Sequence, residues 1–175
     1  INMLPQKFFD HMREDNLKEI ACTVADAFFG EDVPADKLHQ IVNDTLNFEI
    51  PLVKVTDNIY SLELFHGPTL AFKDVGARFM ARLLAHFIRP TSGVRYQESN
   101  INVLVATSGD TGSAVANGFL GVDGIHVYVL YPKGKVSPLQ EAQFTTLGQN
   151  ITAIEVDGTF DDCQALVKQA FINKE

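Results

Sequence analysis

The sequence offers little that points to a metal, a membrane or a nucleic acid. Its two cysteines, Cys22 and Cys163, stand far apart without metal-ligand spacing. A reduced intracellular setting is the expectation, with both thiols on helical apolar faces. His11 and His39 have no ligand-like company, and no metal is expected. No apolar run approaches the roughly 18 residues of a membrane span, and no signal peptide is visible, so no membrane partner is expected and cytoplasm is the default location. Lysine and arginine number 14 against 22 acidic residues, a formal net charge of −8. That excludes a general nucleic-acid binder, which carries a basic face. It leaves room for a small anion held by local donors. Internal repeats and low-complexity segments are absent, as are the GxGxxG and GxxxxGK[ST] nucleotide spacings.

What is present is an ordinary globular composition, 46% apolar and 21% charged over 175 residues, enough for one domain or one plus an appendage. Residues 1–50 read as a helical segment. Leu17, Ile20, Ala21, Val24, Ala27 and Phe28 recur at helical spacing until Gly30, and Leu38, Ile41, Val42 and Leu46 follow Pro34 in the same way. Residues 51–175 read as an α/β domain. PLVKV and IYSLELF are two short strands around Thr56-Asp57-Asn58, and a loop runs from Pro90 to Asn100. Continuous apolar strands at 101–107, 125–131 and 151–156 then alternate with helices at 113–120, from Ser137, and at about 160–173. Ser137, Pro138 and Gln140 suit the cap, N1 and N3 of a capping box. Such alternation implies an open parallel sheet flanked by helices, with a helical N-terminal appendage.

Two stretches carry chemistry. Lys73, between Phe72 and Asp74, falls where an amphipathic helix begins, with Val75, Phe79, Met80, Leu83, Leu84 and Phe87 expected on its buried face. The positive end of a helix and desolvation beside Phe72 both favour a neutral amine, which is what a Schiff-base lysine requires. From position alone, an ordinary solvated lysine is the commoner reading of a helix start. The second stretch, Ala106-Thr107-Ser108-Gly109-Asp110-Thr111-Gly112-Ser113-Ala114, joins the first sheet strand to its helix, at the edge where open α/β sheets bind ligands. Its glycines, hydroxyls and free N–H groups form an anion cradle, although a plain capping turn is the rival reading. Asp110 suits a polyphosphate poorly, because like charges repel. An aminoacyl carboxylate fits better.

HGPTLAFKD followed by ATSGDTGSA, LYPKGKVSPLQE and TLGQNI resembles the threonine synthases, in the fold-type-II family of pyridoxal-phosphate enzymes. The likeness runs from about Leu62 to the end, more loosely through the helical part. It implies that Lys73 forms the Schiff base with pyridoxal 5′-phosphate beside Phe72. Thr107, Ser108, Gly109 and Thr111 would hold the substrate carboxylate, and Asp110 would lie near the cofactor's O3′. Many relatives have asparagine there, and an aspartate requires a proton between the two oxygens. The implied reaction is that of a carbon–oxygen lyase acting on a phosphate ester: O-phospho-L-homoserine and water give L-threonine and phosphate, with the released Lys73 amine as general base. Lys133 and Lys135 are candidate partners for the substrate phosphate, or else solvated loop lysines. His66 reads as a turn residue, and Arg78 and Arg82 as a solvated or ion-paired face.

Two parts that the resemblance calls for do not occur. After Gly134 only Gly148 and Gly158 remain, so no Gly-rich loop for the cofactor phosphate is evident, nor is a Ser/Thr partner for the pyridine nitrogen. With Ile1 lacking an initiator and Lys174-Glu175 following directly on a helix, the expectation is an N-terminal piece of a longer enzyme, inactive alone. Two alternatives stay open. One is a related fold-type-II phospholyase or dehydratase, told apart by keto-acid formation. The other is a non-catalytic small-anion-binding α/β module, in which Lys73 takes no cofactor.

Overall fold

A computed structural model describes residues 3–88 and 101–173. The loop expected from Pro90 to Asn100 lies outside the described residues. The chain divides into two compact units, Ile1–Phe48 and Glu49–Glu175.

The first unit holds α1 (Gln6–His11), α2 (Leu17–Phe29) and α3 (Ala35–Thr45). Asn16 starts α2 by accepting from the N–H groups of Lys18 and Glu19, while Glu19 Oε2 accepts from Asn16 N at 2.7 Å. This reciprocal box satisfies donors that a helix start leaves free. Leu38, Ile41, Val42 and Leu46 are buried, as their spacing predicts. α2 differs: Leu17 and Phe28 are exposed, and Ala25 is its buried residue. Two packed helices cover only the seam between them, so much of the stripe stays open. His39 bonds Asp26 across the pair at 2.7 Å.

In the second unit, β1 (Leu52–Thr56) and β2 (Ile59–Leu62) form an antiparallel hairpin about Asp57 and Asn58. α4 (Lys73–Ile88) follows. Then come β3 (Ile101–Ala106), α5 (Asp110–Phe119), β4 (Ile125–Pro132), α6 (Pro138–Thr145), β5 (Ile151–Val156) and α7 (Phe160–Ile172). The three later strands pair in parallel in the order β3-β4-β5, with Val103 opposite Val127 and Val127 opposite Ile151. Side chains alternate across a strand. Val127 and Val129 therefore share one face and join Ala114, Phe119 and Phe144 of α5 and α6 in the core. Asn150 ties the far edge together: its amide donates to the Phe119 and Ile125 carbonyls at 2.9 and 3.0 Å and accepts from Gly121 N at 2.8 Å.

α4 corrects the sequence reading. Its buried residues are Asp74, Ala77, Arg78 and Ala81, whereas Met80 and Phe87 are exposed. The reason is close approach to α5: a Cβ on Gly118 would lie 3.1 Å from the Ala77 carbonyl carbon and oxygen. Where helix backbones come this near, small residues make the seam; of the large apolar ones expected there, Leu84 packs half-buried against the core while Met80 and Phe87 lie outside it. Arg78 is consequently buried rather than part of a solvated face.

Candidate functional site at the carboxyl edge of the sheet

The direction in which Lys73 leaves α4 is set by the turn before it. Buried Asp74 accepts from Thr69 N at 2.9 Å and from Thr69 Oγ1 at 2.6 Å. The Gly67-Pro68-Thr69 turn is thereby closed onto the first helical turn. A Cβ at Gly67 would sit 2.6 Å from Asp74 Oδ2, so this close approach needs glycine. Gln143 of α6 fixes the same turn from outside, donating to Thr69 O at 3.2 Å.

So held, Lys73 Nζ lies 3.7 Å from Asp110 Oδ2 and 4.4 Å from the centroid of the Phe72 ring. Two stretches distant in sequence meet at one amine. A carboxylate and a ring face both attract positive charge, so these neighbours oppose the field of the helix start. The amine remains reachable, with 33% of the side chain exposed.

The loop from Thr107 to Gly112 is wired from within. Thr107 is 1% exposed. Its hydroxyl accepts from Gly109 N (3.0 Å) and Gly112 N (2.8 Å) and donates to Gly109 O (3.1 Å). One donor and two acceptor sites are all that a hydroxyl has. Thr107 and Gly109, both expected at a carboxylate, thus bond one another. Gly109 adopts φ of 147°, and a Cβ there would meet the Gln140 amide at 2.6 Å; only glycine fits. Ser108 and Thr111 are exposed, and neither hydroxyl has a partner among the described residues. The Ser108, Asp110 and Thr111 N–H groups are likewise open. Together they form a cradle for an anion at the positive end of α5.

Lys133 and Lys135 follow β4 at the same sheet edge. Lys133 pairs with Glu155 Oε1 at 3.6 Å, and the charge of Lys135 acts on Asp162. His66 pairs with Glu63 at 2.8 Å. Burial pushes the Tyr131 phenol up, and Glu141, which accepts its hydroxyl at 3.4 Å, adds to the shift. Burial likewise pushes up both thiols. These groups stay neutral at physiological pH.

One residue that sequence reasoning assigned elsewhere belongs to the site. Gln140 Nε2 donates to Asp110 Oδ1 at 2.6 Å, and Ser137 Oγ donates to Gln140 Oε1 at 2.8 Å. The pattern predicts a reciprocal capping box, yet only half of it forms. Ser137 accepts from Gln140 N, but the Gln140 side chain turns across to α5.

The model for "Pyridoxal-phosphate dependent enzyme" matches residues 48–175. This chain belongs to that family. It is 50% identical over 166 residues to threonine synthase from Serratia marcescens, a match covering 95% of the chain and 37% of that relative. The crystal structure of threonine synthase from Escherichia coli aligns with a TM-score of 0.86 and 43% identity, over 98% of this chain and 38% of that one. A pyridoxal-phosphate-bound threonine synthase from Brucella melitensis aligns with a TM-score of 0.84 and 35% identity, over 98% and 37%. The chain thus spans little more than a third of the length of these relatives, corresponding to their N-terminal part.

The residues present fit the cofactor of this family. An aldehyde condenses with an amine, and Lys73 offers one that is partly exposed, on a fixed helix start and beside an anion cradle. Among the described residues no group of His, Cys, Asp and Glu is arranged for a metal, and no helix is long and apolar enough to cross a membrane.

Proposed function

We propose that this chain supplies the lysine and the carboxylate loop of a threonine synthase, which converts O-phospho-L-homoserine and water to L-threonine and phosphate. The observation that carries this reading is the 3.7 Å approach of Lys73 Nζ to Asp110, which brings a nucleophilic amine to the Ser108 turn. Pyridoxal phosphate, when bound, withdraws electrons from the substrate's α-carbon. Lys73 holds the cofactor and, once its amine is free, carries the α-proton as general base. Ser108 and Thr111 bind the substrate carboxylate through hydroxyls and N–H groups. Thr107 and Gly109 shape the loop that presents them. Asp110 fixes the amine on one side, and Lys133 and Lys135, which follow β4 at this edge, are the candidate cations for the substrate phosphate. By itself the chain forms no threonine, and its cytoplasmic location belongs to the same reading.

Trapping tests the assignment. The chain, incubated with excess pyridoxal phosphate and reduced with borohydride, is expected to carry a pyridoxyl group on the peptide containing Lys73, and Lys73→Ala to lose it. An unlabelled Lys73, or a label spread over the exposed lysines, would overturn the assignment. In the full enzyme, release of keto acid in place of threonine would move the chain to the dehydratases of the same fold.

A further inference from the structure

We infer that Gln140 is a positioning residue for the reacting amine: it aims the Asp110 carboxylate at Lys73 and couples the start of α6 to the site. Three contacts run in series. Ser137 Oγ donates to Gln140 Oε1 at 2.8 Å, Gln140 Nε2 donates to Asp110 Oδ1 at 2.6 Å, and Asp110 Oδ2 faces Lys73 Nζ at 3.7 Å. The Gln140 amide is therefore held at its oxygen while its nitrogen grips one carboxylate oxygen, leaving the other for the amine. A hydrogen bond to a charged acceptor is the stronger kind and fixes direction. Asp110 has need of it, because it is 48% exposed and opens a helix, where no other hydrogen bond among the described residues fixes its side chain.

The backbone is built around this grip. Gly109 sits under the Gln140 amide, where a Cβ would approach its carbon, nitrogen and oxygen to 2.6 Å. Ser113 Oγ has two carbonyls within reach of its one proton, Gly109 O at 3.2 Å and Gln140 O at 3.3 Å, which places α6 close against the start of α5. Gln143, one turn on, reaches the turn before Lys73. α6 thus contacts both stretches that make the site, and Gln140 is its link to the charged pair.

The inference rests on Lys73 being the reacting amine, but its test needs no cofactor. At one fixed pH the full chain is acylated briefly with acetic anhydride, and Lys73 is compared with exposed Lys168 by peptide mapping. A carboxylate held at the ammonium slows acylation. Asp110→Asn and Gln140→Leu are each expected to raise Lys73 labelling about two- to five-fold, the range of a partly exposed ion pair. The double variant should rise no further than Asp110→Asn alone, because Gln140 acts through Asp110. Gln140→Met, an unbranched apolar replacement, serves if the leucine variant does not fold. Unchanged or slower labelling in both apolar variants, or additive effects in the double variant, would overturn the inference. Failure of borohydride trapping at Lys73 would overturn the cofactor role instead and leave this coupling measurable.

Discussion

Thr107 shows how one buried hydroxyl sets the shape of a ligand loop. Its three bonds hold Gly109 and Gly112 in place, so the next residues present their own hydroxyls outward. Thr107→Val keeps the side-chain shape and removes the oxygen. The Gly109 and Gly112 N–H groups then lose their acceptor, and a buried unmet donor costs about 1–3 kcal/mol. Urea unfolding should show a loss of that order, with Thr107→Ser recovering most of it. A valine variant as stable as the parent would mean that the loop is held by other contacts. Spacing alone reveals Thr107 as a member of the loop but not its inward direction, because Thr107, Ser108 and Thr111 are the same kind of residue until burial separates them. Gln140 was legible only as a helix-start residue. Its partner lies thirty residues earlier, on another element.

Among the elements, strands were the most readable. Runs rich in Val and Ile between turn residues mark β3, β4 and β5 to within a residue at each end. The α4 seam was not readable, because helical spacing ranks residues by hydrophobicity while close backbone approach selects them by smallness. The start of α6 was legible through its Ser137 cap, whereas α5 begins at Asp110, three residues before the expected Ser113; α7 yields a pH prediction. Thr159 N and Oγ1 both donate to Asp162 Oδ2 at 2.7 Å. The bond from the backbone is the leading cause that lowers the Asp162 carboxyl below its ordinary value of 3.8, followed by the hydroxyl and, more weakly, Lys135. Because the folded state holds the carboxylate form, this support for α7 is present above the ordinary value. It is lost as pH falls through the lowered one. In an NMR titration the Asp162 midpoint should lie below 3.8. Thr159→Ala should move it part of the way back, since the backbone donor remains. A midpoint unmoved by the substitution would assign the whole shift to the main chain and the neighbouring charge.

At the scale of the whole molecule, the parallel sheet gathers three loops at one edge, and they differ in charge. The loop after β3 offers open N–H groups and hydroxyls. The loop after β4 brings Lys133 and Lys135. The loop after β5 is acidic, with Asp157 leading to Asp161 and Asp162 in the first turn of α7. A substrate carrying both a carboxylate and a phosphate can place one on the first loop and the other toward the second. A phosphorylated cofactor then brings a second phosphate, for which the described residues at this edge leave only the open Gly134 between Lys133 and Lys135. Gly158 is occupied in the α7 cap, where a Cβ would lie 2.8 Å from Asp162 Oδ2, and Gly148 precedes β5 at the opposite edge. Under the proposed reading, the described residues at this edge offer the amine and the open N–H groups of the Ser108 turn, with no second cradle of that kind for a cofactor phosphate. Incubated alone with O-phospho-L-homoserine and saturating pyridoxal phosphate, the chain should release neither threonine nor phosphate above the rate of its Lys73→Ala variant. Exposed Lys133 should remain dispensable for borohydride trapping at Lys73, because the bond that is reduced is made by the Lys73 amine. Threonine formed by the chain alone, and lost with Lys73→Ala, would show that this sheet edge accommodates two phosphates and that the β4 and β5 loops rearrange to do so.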